Sequence, residues 1–331
     1  MIWPTPSAQR HHEAETTNSG EEVYVDLLDV LVRLSGSLMP ARGFMHLDEA
    51  DSDFATARVV IVPVPFDGTT TYQPGTRDGP RAIIDASRNL ELYDAELRRS
   101  PYQVGIHTLP AVEPVAGDAA AMVARIEEVT GLLLDAGKFV VTLGGDHLTS
   151  IGVARAFASR HPGLCVLQID AHSDLRDEYE GAALSGATIM RRVLDVCPRT
   201  AQVGIRSLSE PEARLIAERR LPIWLASEIA AQRLRGRRDW IAEAVATLTD
   251  EVYITCDMDA FDPSLVPGTG TPEPGGLDWY DVMELLAAVT AARRVVGFDV
   301  VELSPLLESH VSPVVAAKLV YKLIGMSVPT S

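Results

Sequence analysis

The sequence predicts an α/β protein: a mainly parallel central sheet sandwiched between helices. Two observations carry the prediction. From residue 58 onward, strand-like and helix-periodic runs follow one another in turn, and such alternation returns successive strands to one sheet through crossover helices. The strand-like runs, RVVIVPVP and LCVLQI among them, are nearly continuous in apolar residues, as parallel strands covered on both faces require.

Taken in order, residues 1–22 are polar and lack any apolar period, which predicts a flexible tail. Residues 24–34 (YVDLLDVLVRL) place apolar side chains at helical spacing, so a helix and its lead-in are expected over 23–57. Strands are expected at 58–65, 138–143, 164–169, 202–205, 222–225, 251–256 and 295–301, where β-branched and aromatic residues cluster. Helices are expected over 118–136, 148–160, 210–219, 238–248 and 278–292. No repeat or linker interrupts this alternation, so residues 58–331 are read as one domain.

Composition narrows the function. A chain of 331 residues can bury a large core. Forty-six acids against 29 Lys and Arg give a net charge of -17, and no basic run occurs. That balance argues against nucleic acid or anionic lipid as partners and suits a small cationic substrate. Cys165, Cys197 and Cys256 are widely spaced and odd in number, a pattern of reduced thiols in a cytoplasmic protein. There is no basic-then-apolar leader, and no stretch nears the roughly 18–20 apolar residues of a membrane span. A cytoplasmic location away from membranes is expected.

In an open parallel sheet, ligands bind beyond the carboxyl ends of the strands, and four of the expected strands end in chemistry. Gly144-Gly145-Asp146-His147 follows one, Asp170-x-His172-x-Asp174 a second and Asp257-x-Asp259 a third, while the last strand carries Asp299 and Glu302. In extended chain, alternate residues point to one side about 6.5 Å apart, so each set presents its ligands together. Ionisable groups packed after a buried strand are costly unless something positive sits among them. Four carboxylates and two imidazoles suit two divalent ions, and hard oxygen donors with a minority of imidazole favour Mn over Zn. Cys256 is expected to face away from Asp257. Gly144-Gly145 is expected to turn the backbone so that His147 reaches the metals, and the Pro- and Gly-rich residues 263–276 to form a rigid loop shaping the pocket. No phosphate-binding loop or nucleophile-elbow motif occurs. Trp3, Trp224, Trp240 and Trp279 are read as packing residues.

These residues also resemble a known family. GGDH (144–147), DAHSD (170–174), CDMDAFDPSLVPGTGTPEPGGL (256–277) and FDVVELSP (298–305), preceded by VPVPFDGTTTYQPGTRDGPRAI (62–83), are similar to ureohydrolases. These are the manganese enzymes that include arginase, agmatinase and formimidoylglutamase. The resemblance spans residues 58–324 and implies an arginase-like three-layer α/β/α sandwich, two Mn2+ per chain and a homotrimer or homohexamer. It implies one ion held by His147, Asp170, Asp174 and Asp257 and the other by Asp170, His172, Asp257 and Asp259, with Asp170 and Asp257 bridging. It further implies that a metal-bridging hydroxide attacks the guanidino carbon, that Asp174 orients the hydroxide, and that Glu302 holds the guanidinium, which a carboxylate matches in shape and charge. The substrate it favours is agmatine, released as urea and putrescine. Guanidinobutyrate, guanidinopropionate and formimidoylglutamate are alternatives, as is a metal-binding but catalytically idle subunit. Arginine is disfavoured, because the asparagine-bearing stretch with which arginases grip their amino acid is not recognisable after Asp174.

One position departs from the family pattern. Many agmatinase-like members carry a proton-transferring histidine in an S-H-x-T stretch where this chain reads Ser185-Gly186-Ala187-Thr188. The leaving amine must still be protonated, so Asp174, a water chain or another histidine, with His310 the candidate at the pocket mouth, has to serve. Gly186 also resembles the S-G-T stretch of formimidoylglutamases, whose DLR is matched by Asp174-Leu175-Arg176, whereas GTGTPEPGGL is agmatinase-like.

Overall fold

The apolar runs become strands buried on both faces: Val59–Val64 and Cys165–Ile169 have no exposed residue. The computed structural model describes residues 43–329; the tail expected over 1–22, the helix expected at 24–34 and Trp3 lie outside them. The strands are β1 (Val59–Val64), β2 (Ile106–Thr108), β3 (Phe139–Gly144), β4 (Cys165–Ile169), β5 (Thr200–Ile205), β6 (Ile223–Leu225), β7 (Glu251–Asp257) and β8 (Arg294–Val301). They form one sheet in the order β2-β1-β3-β8-β7-β4-β5-β6. Every pairing between these strands is parallel. β2 was not anticipated, because three residues between Gly105 and Pro110 carry too short a pattern to read.

The helices are α1 (Glu49–Ser52), α2 (Gly79–Ser87), α3 (Ala119–Asp135), α4 (Thr149–Ala158), α5 (Ile189–Val196), α6 (Glu210–Arg219), α7 (Ala226–Leu234), α8 (Asp239–Thr247), α9 (Trp279–Ala292) and α10 (Val311–Ser327). Alternation along each strand divides the core in two. Val59, Ile61 and Leu167 join side chains of α2, α7, α8, α9 and α10. Val60, Val62 and Val166 join those of α3, α4 and α5, with α6 packed against them. The result is a three-layer α/β/α sandwich. Each large side chain buried this way is worth about 1.5–3 kcal/mol. The first core reaches back to Phe44 and Met45, ahead of β1.

Local signals fix several helix starts. Asp118 caps α3 by accepting from Ala121 N, Ser209 and Glu212 form a capping box on α6, and Asp278 and Asp281 form one on α9. Trp240 is wholly buried, Trp279 stacks on Phe261 with centroids 6.3 Å apart, and Trp224 packs against the core. The three cysteines are buried and unpaired, with Cys256 in the same core as Ile254 and Leu167. Among the described residues, no helix is long and apolar enough to cross a membrane.

Candidate metal centre

β3, β8, β7 and β4 are consecutive neighbours in the sheet, so the four motifs at their carboxyl ends meet. After β3 the backbone is held on both sides: the Phe66 carbonyl accepts from Asp146 N at 2.7 Å, and the Gly145 carbonyl accepts from Glu302 N at 2.8 Å. A Cβ on Gly145 would run into the Phe66 carbonyl, and one on Gly144 into Thr149. Neither glycine has positive φ. Gly145 is therefore required for close approach to the Phe66 backbone and Gly144 for the Thr149 and Val301 side chains, while the bend that follows needs no left-handed glycine.

His147, buried, points Nδ1 at three carboxylates: Asp170 Oδ2 at 3.2 Å, Asp174 Oδ2 at 3.2 Å and Asp257 Oδ2 at 3.3 Å. Nδ1 nonetheless has no hydrogen-bond partner. On the far side of Asp170, His172 Nδ1 lies 3.0 Å from Asp259 Oδ2 and 3.7 Å from Asp170 Oδ1. Each of the sets His147/Asp170/Asp257 and Asp170/His172/Asp259 offers ligand atoms within 4.8 Å of one another, and Asp170 belongs to both. A buried imidazole nitrogen turned toward carboxylate oxygens without a hydrogen bond calls for a cation between them. The oxygen-rich donor set, with one imidazole on each side of a shared carboxylate, fits a pair of divalent ions. Asp174 and Glu302 both adopt left-handed backbone, φ 52 and 60, a strained conformation that concentrates at functional sites.

The electrostatics point the same way. Burial, then repulsion from Asp174 and Asp259, pushes the Asp170 carboxyl up to about 7. Burial and the neighbouring Asp259 and Asp170 drive Asp257 well above the carboxylate range. Burial would raise Asp259 too, but His172 holds it at about 2. Burial opposes charge on His172, yet Asp259 and Asp170 carry it to about 11. Glu302 is raised by burial and by Asp146. Carboxylates this crowded oppose one another's ionisation, and a divalent cation among them relieves that repulsion.

A cavity of about 70 Å³ opens on the cluster, walled by His147, His172, Asp174, Asp257 and Glu302 together with Gly186 and the threonines at 69–71 and 271. No Lys or Arg is among the described residues lining it. Glu302 Oε1 accepts from His147 N at 2.7 Å, which holds the carboxylate at the cavity wall. The cavity shares Thr71, His172 and Asp174 with an outer groove of about 350 Å³ that runs past Tyr72 and Tyr179. Gly270 and Thr271 bring the loop at 263–276 to the cavity wall, with Thr271 Oγ1 3.3 Å from Asp259 Oδ2.

Gly186 opens a 3-10 turn at Gly186–Thr188 and has no positive φ. A Cβ there would meet only Glu302 Oε1 at 3.6 Å, His147 Cβ at 3.8 Å and His147 N at 3.9 Å, ordinary contacts. The position can thus accept a side chain. His310, by contrast, is exposed at the start of α10 and lines neither cavity nor groove. Asp299 is wholly buried and also lines neither. A larger hollow of about 730 Å³ surrounds the opposite ends of β1, β3 and β8, but its cations are engaged, Arg160 with Asp135 and Lys138 with the Phe54 and Ala57 carbonyls.

Several supporting residues were not singled out from sequence. Gln168 donates to Asp170 Oδ2 at 2.6 Å, and Gln202 donates to the Ser173 carbonyl at 2.7 Å. Glu212 accepts from Ser173 Oγ at 2.7 Å and Leu175 N at 2.9 Å, tethering the chain on both sides of Asp174. Arg206 donates to the Asp259 and Glu273 carbonyls, each at 2.7 Å, and ties the ligand turn to the 263–276 loop. The available signal was a polar side chain inside an apolar strand, as in LCVLQI.

A parallel sheet whose central strand ends gather such a donor set beneath an acidic cavity has the layout of a metal-assisted hydrolase, and comparison with known proteins specifies the family. Residues 57–325 match the Arginase family. The chain is 42% identical over 287 residues to the N(1)-aminopropylagmatine ureohydrolase of Synechocystis sp., covering 84% of this chain and 91% of that protein. It is 34% identical over 298 residues to the agmatinase of Bacillus anthracis, covering 85% and 98%. The solved agmatine ureohydrolase of Thermoplasma volcanium matches with a TM-score of 0.79 at 30% identity, covering 89% of this chain and 97% of that one. This chain belongs to the arginase family and is a ureohydrolase.

Proposed function

We propose that this ureohydrolase cleaves agmatine-type amines to urea and the free amine, with N1-aminopropylagmatine preferred and agmatine second. The observation that carries the reaction class is the small acidic cavity, free of Lys and Arg among the described residues, with Glu302 in its wall and the His/carboxylate cluster beneath. The substrate preference is supported by the higher identity to an aminopropylagmatine ureohydrolase, 42%, than to an agmatinase, 34%. It extends the agmatine expected from sequence by an aminopropyl arm, for which the outer groove has room.

Divalent ions held by His147, Asp170, His172, Asp174, Asp257 and Asp259, manganese in this proposal, supply the Lewis acidity that makes water nucleophilic near neutral pH. Glu302 holds and orients the guanidinium, which pairs with a carboxylate in shape and charge. Asp174 at the cavity floor takes a proton from the attacking water. The C–N bond to the alkyl chain breaks, and the leaving nitrogen receives that proton through Asp174 or water, since Gly186 offers no imidazole. The alkyl-amine tail occupies the outer groove, where Arg176 lies over the Tyr179 ring and 3.9 Å from Glu212. A homotrimer or homohexamer in the cytoplasm completes the proposal: Leu306, Leu307, Val311 and Val314 are exposed along one stretch and suit burial between copies.

The test is manganese-loaded protein incubated with N1-aminopropylagmatine, agmatine, guanidinobutyrate, guanidinopropionate, arginine and formimidoylglutamate, with urea and amine products quantified. The expected kcat/KM is highest for N1-aminopropylagmatine, then agmatine, with arginine far behind. A guanidino acid as the best substrate contradicts the proposal, and inactivity on every compound with metal bound supports the idle subunit instead.

A further inference from the structure

Behind His147 lies a line of buried polar groups that the reaction itself does not use. Thr255 Oγ1 is 2.9 Å from His147 Nε2 and 2.6 Å from Asp299 Oδ1, and the Tyr253 hydroxyl is 2.5 Å from Asp299 Oδ2. All four side chains are buried. The register of the sheet builds the line: Tyr253 and Thr255 lie two apart on β7, on one face, and Thr255 pairs directly with Asp299 of β8.

Counting protons gives the line a direction. A threonine hydroxyl donates once. Asp299, which already accepts from Tyr253, accepts that one proton at 2.6 Å in preference to the more distant Ser150 Oγ at 3.4 Å. Toward His147, Thr255 can then offer only a lone pair, so Nε2 must carry the hydrogen. In the neutral ring that binds a metal, the lone pair is then on Nδ1, and it is this atom that lies 3.2–3.3 Å from Asp170, Asp174 and Asp257. His172 has no such backing: its Nε2 is 3.9 Å from Glu273 Oε1 at the partly exposed edge of the site.

We propose that Asp299, Thr255 and Tyr253 are positioning residues that fix His147 as its Nε2–H tautomer and so create the metal-binding lone pair on Nδ1, an inference that rests on the metal-centre reading above. Partners behind a metal-bound histidine typically change metal affinity by about 10- to 100-fold. Of the two imidazoles, His147 alone is backed in this way among the described residues, so the effect should fall on one ion of the pair.

Calorimetric titration of metal-stripped, full-length protein with Mn2+ tests this without any substrate. Thr255→Val keeps the shape but cannot accept from Nε2–H; it is expected to weaken one of two binding events by about 10- to 100-fold and leave the other near wild type. Thr255→Ser retains the hydroxyl and should restore both. Tyr253→Phe removes only the outermost donor and should give a smaller loss, while Asp299→Asn, whose amide can donate back to Thr255, should approach Thr255→Val. Wild-type affinity for both ions in Thr255→Val overturns the relay, and so does equal weakening in Thr255→Ser, which would mark a packing role. Should Thr255→Val fail to fold, Tyr253→Phe and Thr255→Ser decide alone: wild-type binding in Tyr253→Phe, or a weakened ion in Thr255→Ser, overturns it. Wild-type protein that takes up no Mn2+ overturns the metal-centre reading instead, and the substrate panel remains a separate test of the reaction.

Discussion

A side chain introduced at position 186 would start from a Cβ in ordinary contact with Glu302 and His147, with no positive φ to resist it. Gly186→His is therefore expected to raise turnover on agmatine-type amines while leaving KM little changed, because a proton shuttle acts on the chemical step. A well-placed proton-transfer group is worth about 100- to 10,000-fold, and a graft without its own supporting partners should recover about tenfold at most. Steady-state kinetics of Gly186→His beside Gly186→Ala check this. If Ala lowers kcat as much as His does, position 186 has no shuttle role. At the shared ligand, Asp170→Asn should cost both ions, since Asp170 belongs to both donor sets; metal analysis showing one ion fully retained would contradict the shared geometry. The clustered donors were legible because their motifs sit at strand ends, two of them with period-two spacing. Thr255 and Gln168 were not, because a polar side chain inside a strand reveals its partner only once the neighbouring strands are in place.

At the scale of elements, α10 shows where pattern reading stops. It carries no clean amphipathic period because its later turns are buried almost all round, including the run at 319–325. Its polar anchor is Lys322, which donates to Asp94 at 3.0 Å and Glu96 at 2.6 Å. Burial works to raise Asp94, but the Leu97 N–H, Lys322 and Lys318 outweigh it and hold the carboxyl below its ordinary 3.8. A carboxyl depressed in the folded state contributes stability that is complete above the unfolded value and is lost as pH falls through the folded one. Lys322→Met should thus cost roughly 3 kcal/mol at neutral pH, measured by denaturant unfolding, and its deficit should shrink below about pH 4 as Asp94 is protonated. A deficit that stays constant into acid would assign the loss to packing instead. Helices α6 and α9 were legible from the apolar period over 210–219 and 278–292; α10 was not, because burial nearly all round its later turns leaves no period to read.

For the whole molecule, alternation of strand and helix made the three layers legible, but the order of strands was not. Nothing local places β8 between β3 and β7, yet that insertion sets Glu302 beside His147 and Asp299 beside Thr255. The donor inventory could be drawn up from sequence and the family resemblance implied its division around a shared Asp170, whereas the strand order that brings the donors together needed the sheet. The excess of acids, net charge -17, suits a polycationic substrate, so kcat/KM should fall as salt screens that attraction; a salt-independent kcat/KM would argue against electrostatic capture. The central claim is that two ions at these strand ends serve the hydrolysis of a guanidino amine. It is tested most directly by titrating metal-stripped protein with Mn2+ while following urea release from N1-aminopropylagmatine. Activity that rises to a plateau at two ions per chain is the predicted result, and a plateau at one ion, or full activity before any metal is added, would contradict it.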